Sequence, residues 1–87
     1  MTLQILLLTQ ENCGFCDAAK EILDRLSARY SLSVSSLSLD SPDGQELAAK
    51  NGILFPPGIF IDGDAFSYGR PSEGKLRREI ERRLTPK

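Results

Sequence analysis

The sequence predicts an α/β domain, a four-stranded mixed sheet flanked by three helices in the order β-α-β-α-β-β-α. Three observations carry this prediction. A near-continuous apolar run, Leu3 to Leu8, precedes a stretch with apolar residues at helical spacing: Phe15, Ala19, Ile22, Leu23 and Leu26. A second strand-like stretch follows, in which aliphatics interleave with serines from Leu32 to Leu39. Further on, Asp62-Gly63 stands between two short apolar segments, a strong signal for a tight hairpin. The first half thus reads as a βαβ unit with a parallel right-handed crossover, and the second half adds an antiparallel pair and a last helix.

Each element has its own justification. Leu3-Gln4-Ile5-Leu6-Leu7-Leu8 lacks clean alternation, so it is expected to be covered on both faces. Thr9 to Asn12 is a polar loop. A helix is expected from Gly14 to Arg29, with its stripe at Phe15, Ala19, Ile22, Leu23 and Leu26, Tyr30 at its end, and Glu21 and Arg25 spaced to pair. In residues 31–39 the alternation changes phase at Ser35-Ser36. Either a bulge sits there, or Leu32 belongs to the lead-in of a shorter strand at or near the sheet edge. Ser41-Pro42 reads as the cap and first turn of a short helix, ended by Asn51-Gly52. Ile53 to Pro57 is a loop, Gly58 to Ile61 a strand, and Ala65 to Tyr68 its hairpin partner, with Phe60, Phe66 and Tyr68 expected in the core. Gly69-Arg70-Pro71 breaks the chain. Ser72 then caps a helix to Leu84 with Leu76, Ile80 and Leu84 inward, and with Glu73–Arg77 and Glu79–Arg83 spaced for pairing.

Bulk properties narrow the function. Eighty-seven residues are expected to form one domain, 1–87, with no linker and no internal repeat. A net charge of −1 gives no reason to expect nucleic acid as a partner. The charge is nonetheless uneven. Residues 1–69 carry four Lys/Arg against nine Asp/Glu, whereas residues 70–87 carry seven against three. The basic residues of the last helix (Lys75, Arg77, Arg78, Arg82, Arg83 and Lys87) read either as a solvated face or as a dock for an acidic partner. No apolar stretch is long enough to span a membrane, and no basic region with an apolar core marks a signal peptide. A cytoplasmic location is expected, with thiols reduced at rest.

The chemistry sits in Asn12-Cys13-Gly14-Phe15-Cys16, which contains both cysteines of the chain. With no histidine and two cysteines, a metal site from one chain lacks soft ligands, and a bridge across two residues would close a trivial loop. Reversible thiol chemistry explains the pair better than structural use. Both sulfurs fall at the start of a helix, where free N–H groups and the helix dipole stabilise an anion. Such settings lower a cysteine pKa from about 8.5 into the range of about 3.5–7.5. Glu11 and Asp17 oppose this, and no cation is closer in sequence than Lys20, so the expected depression is limited.

The element order, a Cys-x-x-Cys after the first strand and a proline just before the third resemble the thioredoxin fold. Within it, Cys13-Gly14-Phe15-Cys16 and Pro57-Gly58-Ile59-Phe60-Ile61-Asp62-Gly63 are similar to glutaredoxins. The resemblance covers nearly the whole chain. It implies a small thiol-disulfide oxidoreductase that reduces disulfides or mixed disulfides in cell redox homeostasis. Cys13 would be the nucleophile and Cys16 the resolving thiol. Pro57 would be a cis-proline facing them, with Phe15 supplying apolar contact. The implied partner is a disulfide-containing protein or a low-molecular-weight thiol. No bound cofactor is implied, only a reducing thiol cosubstrate such as glutathione, and a monomer is expected.

The chain departs from the family pattern at the glutathione contacts. Gln10 and Glu11 stand where glutaredoxins carry an upstream lysine. Pro56 occupies the place whose backbone N–H and C=O receive an extended substrate, and it has no N–H; the missing bond is worth about 0.5–1.5 kcal/mol. Arg70 and Ser72 replace the usual Gly-Gly-Cys-Asp segment, offering a positive charge and a helix cap that leaves N–H groups for a carboxylate. Two other functions compete. One is an iron–sulfur or metal carrier through Cys13, because monothiol glutaredoxins carry Cys-Gly-Phe-Ser. The other is a non-catalytic binding module that retains the fold.

Overall fold

The computed structural model describes residues 1–85. Its elements are β1 (Leu3–Thr9), α1 (Gly14–Ser27), β2 (Leu32–Ser38), α2 (Pro42–Asn51), β3 (Gly58–Ile61), β4 (Asp64–Tyr68) and α3 (Glu73–Leu84). Lys87, counted above with the basic helix, lies outside the described residues. The strands form one sheet in the order β2-β1-β3-β4. β1 runs parallel to β2 and antiparallel to β3, and β3 is antiparallel to β4. The mixed four-stranded sheet with three helices is the architecture expected from the sequence.

β1 is central and apolar on both faces, which is why its sequence does not alternate. Leu3, Ile5 and Leu7 face α1 and α3, packing on Leu23, Leu26 and Ile80. Leu8 faces α2, packing on Ala48, Ile53 and Phe60. Each fully buried aliphatic of this kind contributes roughly 1.5–3 kcal/mol.

β2 corrects the expectation of a bulge. Its register with β1 is unbroken from Leu3↔Leu32 to Thr9↔Ser38. The phase change has another origin: Leu32 packs on the α1/α3 side, whereas Leu37 and Leu39 pack on the α2 side. Two half-buried faces of one edge strand each contribute their own aliphatics. The bulge lies instead between β3 and β4, where Ile59 pairs with Ser67 and Phe60 with Ala65, leaving Phe66 as the extra residue. The hairpin turn Asp62-Gly63 has φ of 49° and 87°, the conformation that Asp-Gly favours. Its Asp62 Oδ1 accepts the Gln4 N–H at 2.8 Å, fastening the turn to the start of β1.

α1 ends at Ser27 rather than Arg29, because Ala28 N–H turns to the Arg25 carbonyl and closes a tighter last turn. Its expected Glu21–Arg25 pair is replaced. α1 and α3 cover the same face of the sheet, and Arg25 reaches Glu73 at 2.8 Å; this also removes the expected Glu73–Arg77 pair. The Tyr30 hydroxyl donates to the Glu81 carboxylate. Glu79–Arg83 forms as expected at 2.7 Å. Arg83 further donates to the Ile61 carbonyl at 3.2 Å and to Asp64 at 3.0 Å, tying the end of α3 to the hairpin.

These pairs give the fold a predicted acid sensitivity. Hydrogen bonds from Arg82 and then Arg83 hold the Glu79 carboxyl at about 2 rather than the ordinary 4.5, and Arg25 lowers Glu73 in the same way. A depressed carboxyl favours the folded state above its unfolded pKa, and that contribution is lost as pH falls from about 4.5 towards 2. Denaturant unfolding followed from pH 6 to pH 2 is expected to lose stability in this window. Arg83→Gln should shrink that pH-dependent part and cost about 1–2 kcal/mol at neutral pH, through the lost hydrogen bonds to the hairpin. Equal pH profiles for both proteins would contradict the assignment.

Candidate active site

Cys13 is the N-cap of α1, in extended conformation with φ −115° and ψ 104°. The preceding Asn12 has φ 56°, a left-handed turn that asparagine tolerates better than most residues, and it redirects the chain from β1 into the helix. Cys13 and Cys16 are joined in a disulfide with their Cα atoms 5.2 Å apart. The Cys16 N–H donates to Cys13 Sγ at 3.1 Å, so the sulfur takes the role that an oxygen plays in an ordinary helix cap. Cys13 is half-buried, while Cys16 is only 1% exposed. The inward stripe of α1 therefore starts at Cys16, not at Phe15 as the spacing suggested. The bridged sulfur occupies the inward place, and Phe15 is 47% exposed beside it.

The sheet register gathers the other segments at the same end. β1 and β2 finish there, β3 begins there and β4 finishes there, since Leu8 pairs with Gly58 and Gly58 with Tyr68. Beyond β1 and β2, Leu39 N–H donates to the Thr9 carbonyl and Gln10 Nε2 donates to Asp40 at 2.9 Å. Gln10 is thus engaged with a carboxylate of its own chain. The Pro56–Pro57 bond is cis, Pro57 is buried and Pro56 half-buried. The Pro57 carbonyl accepts the Gly69 N–H at 2.9 Å, which latches this loop to the end of β4.

The sequence reading missed the residues next to that latch. Leu54 and Phe55 are exposed, and the Phe55 ring meets Tyr68 edge-on with centroids 5.2 Å apart. Tyr68 is therefore outside the core, whereas Phe60 is in it and Phe66 lies against it. The bulge at Phe66 breaks the alternation that placed all three aromatics inside. Gly69 has φ 80°, and a Cβ there would fall 2.6 Å from Phe55 Cε2, so the loop can close over it only because the residue is glycine. Arg70, Ser72 and Lys75 line a cavity of about 330 Å³ with Phe66, Ser67 and Tyr68. Ser72 Oγ accepts the Lys75 N–H and caps α3. Arg70 makes no ion pair among the described residues. Lys75 was legible only as one charge of a basic helix; its place at the cavity depends on how α3 docks against β4.

A helix-capping cysteine bridged to a buried partner, with a cis-proline at the same end of a four-stranded mixed sheet, defines a thioredoxin-fold dithiol protein. Comparison with known proteins specifies the family: the Glutaredoxin family model matches residues 5–66, and the chain belongs to that family. It is 26% identical over 76 residues to the probable thioredoxin of Archaeoglobus fulgidus, covering 87% of this chain and 84% of that protein. It is 28% identical over 81 residues to the thioredoxin of Methanocaldococcus jannaschii, covering 93% and 95%. Among solved structures, a mutant thioredoxin from Halobacterium salinarum superposes with a TM-score of 0.73 at 22% identity, over 97% of this chain and 78% of that one. A malarial protein superposes with a TM-score of 0.72 at 20% identity, over 98% and 100%. The protein is a thiol-disulfide oxidoreductase whose partners carry disulfides. Among the described residues no helix is long and apolar enough to cross a membrane.

Proposed function

We propose that Cys13 is the nucleophile and Cys16 the resolving thiol. The observation that carries this is the asymmetry of the pair: Cys13 Sγ is half-buried at the helix start and accepts an N–H, whereas Cys16 is sealed beneath it. The Cys13 thiolate attacks one sulfur of a substrate disulfide. The new S–S bond makes a mixed disulfide and the other substrate sulfur leaves as a thiolate. Cys16, deprotonated, then attacks Cys13 Sγ, forms the Cys13–Cys16 bond and releases the second substrate thiolate. Two electrons pass to the substrate, whose two thiolates take up two protons. A thiol cosubstrate, such as glutathione, returns the pair to the dithiol and needs no bound cofactor.

Phe15, Leu54, Phe55 and Pro56 form the surface that receives the substrate, with the buried cis-proline Pro57 fixing the turn that presents Pro56, and with Arg70 and Ser72 at its side. Pro56 lacks an N–H, and Gln10 is occupied by Asp40. Both features weaken a glutathione cradle and support a protein disulfide as the main substrate, in keeping with the thioredoxin names of the relatives. A metal or cluster carrier is less well supported. A cluster needs four ligands, and with two cysteines and no histidine this chain offers at most two thiolates, so a carrier would require a second chain and external thiols. The reading places the chain in the cytoplasm as a monomeric single domain acting in redox homeostasis.

Titration of the reduced protein by thiolate absorbance at 240 nm tests the nucleophile. Its midpoint is expected below the free-thiol value of about 8.5. Asp17, in the first turn of α1, opposes the helix dipole, so Asp17→Asn should lower the midpoint further. A first midpoint at or above the free-thiol value would overturn the assignment.

A further inference from the structure

We propose that the cavity between β4 and the first turns of α3 docks an acidic stretch of the substrate polypeptide, held by Arg70, Lys75 and Arg78. The inference rests on the oxidoreductase reading above and names the class of disulfide that the site selects.

The argument begins with which charges are already satisfied. In the basic segment 70–87, Arg82 and Arg83 are bound to Glu79, and Arg83 also to Asp64. The segment's remaining acids are likewise engaged, Glu73 with Arg25 and Glu81 with the Tyr30 hydroxyl. Arg70, Lys75 and Arg78 are exposed and make no ion pair among the described residues. Arg70 and Lys75 line the cavity of about 330 Å³. Arg78 stands three residues beyond Lys75 on α3, and its guanidinium lies back over the first turn of the helix, with Nη1 3.7 Å from where a Cβ on Gly74 would be. Two unpaired cations therefore line this concavity together with Phe66 and Tyr68, a third stands on the same helix, and among the described residues no carboxylate forms an ion pair with any of them.

Distance connects this cavity to the chemistry. Tyr68 is two strands from Leu8 in the register, roughly 10 Å at the usual strand spacing of about 4.8 Å. An extended polypeptide covers about 3.3–3.6 Å per residue, so acidic residues about three to five positions from the substrate cysteine reach the cations. A small thiol uses less of this surface, because the cations continue from Arg70 to Arg78 along α3. A long polyanion such as a nucleic acid would run onto residues 1–69, where nine acids face four bases. A short acidic segment meets only the cationic sector.

Three disulfide-linked peptide dimers provide the test, identical except for Glu, Gln or Lys at positions three to five from the cysteine. Reduction by the full chain is followed with dithiothreitol as reductant, at low salt and at about 0.5 M NaCl. At low salt kcat/KM for the Glu peptide should exceed that for the Gln peptide by about tenfold, with the Lys peptide slowest, and high salt should shrink the ratio. In Lys75→Gln/Arg78→Gln the Glu-to-Gln ratio should fall towards one; being a ratio within one variant, it is insensitive to a general loss of activity. A ratio near one in the unmodified protein, or one that survives the double substitution, overturns the proposal. So does an equal loss on glutathione disulfide, which would assign the cations to small thiols. Stronger inhibition by a free single-stranded oligonucleotide than by free acidic peptide would overturn it in favour of nucleic acid. Failure to reduce even the Gln peptide would instead remove the oxidoreductase reading on which the proposal stands.

Discussion

Cys13→Ser is expected to take disulfide reduction down to the uncatalysed background, whereas Cys16→Ser should stop the reaction halfway. The serine hydroxyl is not ionised near neutral pH, so the helix start has no nucleophile to stabilise. Cys16 cannot substitute for it, because its side chain is 1% exposed and an incoming disulfide does not reach it. With Cys16→Ser the first attack proceeds, since Cys13 keeps its exposure and its place at the helix start. The mixed disulfide then has no internal thiol to resolve it and accumulates. Mass spectrometry of each variant mixed with a disulfide peptide reads the difference directly. Cys16→Ser gains the mass of one peptide chain, a gain reversed by excess dithiothreitol, and Cys13→Ser gains none. The reverse pattern would exchange the two roles, and reduction that persists in Cys13→Ser would remove the mechanism.

Much of this site was legible because redox chemistry constrains the sequence locally. Two cysteines three apart at a strand–helix junction locate the sulfurs, and a continuous apolar run identifies a central strand. What failed to be legible depended on contacts between elements. Leu32 and Leu37 lie out of phase because α1 and α2 cover opposite faces of the same strand, while the alternation rule assumes one buried face. Glu73 was at ideal spacing for Arg77 within its helix, yet the packing of α1 beside α3 brings Arg25 closer. Tyr68 leaves the core because one extra residue at Phe66 changes which way β4 points its side chains. Similarly, local sequence cannot choose the isomer of two adjacent prolines; only the resemblance to a family indicated Pro57.

Gly44→Ala is expected to be the most damaging of the conservative substitutions, although it improves the helix in which it sits. Gly44 is the third residue of α2, and helix propensity alone favours alanine there by about 0.5–1 kcal/mol. The site reverses the sign. A Cβ at Gly44 would collide with the Ser38 carbonyl oxygen and lie 3.0 Å from Leu39 Cα, both of them backbone. That carbonyl cannot swing aside freely, because it accepts the Ser41 N–H at 3.1 Å and the Ser41 hydroxyl at 2.7 Å. Ser41 in turn caps α2 through Gly44 N–H at 3.0 Å. Relief of the clash must separate α2 from the end of β2 and loosen the cap, each worth about 1–3 and about 1 kcal/mol respectively. The net loss is about 2–3 kcal/mol, or a fall in Tm of roughly 10–20 °C for a domain of this size. Gly74→Ala supplies the opposite control. Nothing closer than the flexible end of Arg78, at 3.7 Å, faces a Cβ there, so the propensity term should win and raise stability by about 0.5–1 kcal/mol. The damage at Gly44 should also reach the chemistry. The end of β2 holds Thr9 through Leu39 N–H, and Asp40 just beyond it holds Gln10, so the start of the loop leading to Cys13 loses both of its anchors together. Thermal unfolding of both variants, read beside their disulfide-reduction rates, tests this. A Gly44→Ala protein as stable and as active as the unmodified chain would mean that α2 does not seat against Ser38 in this way.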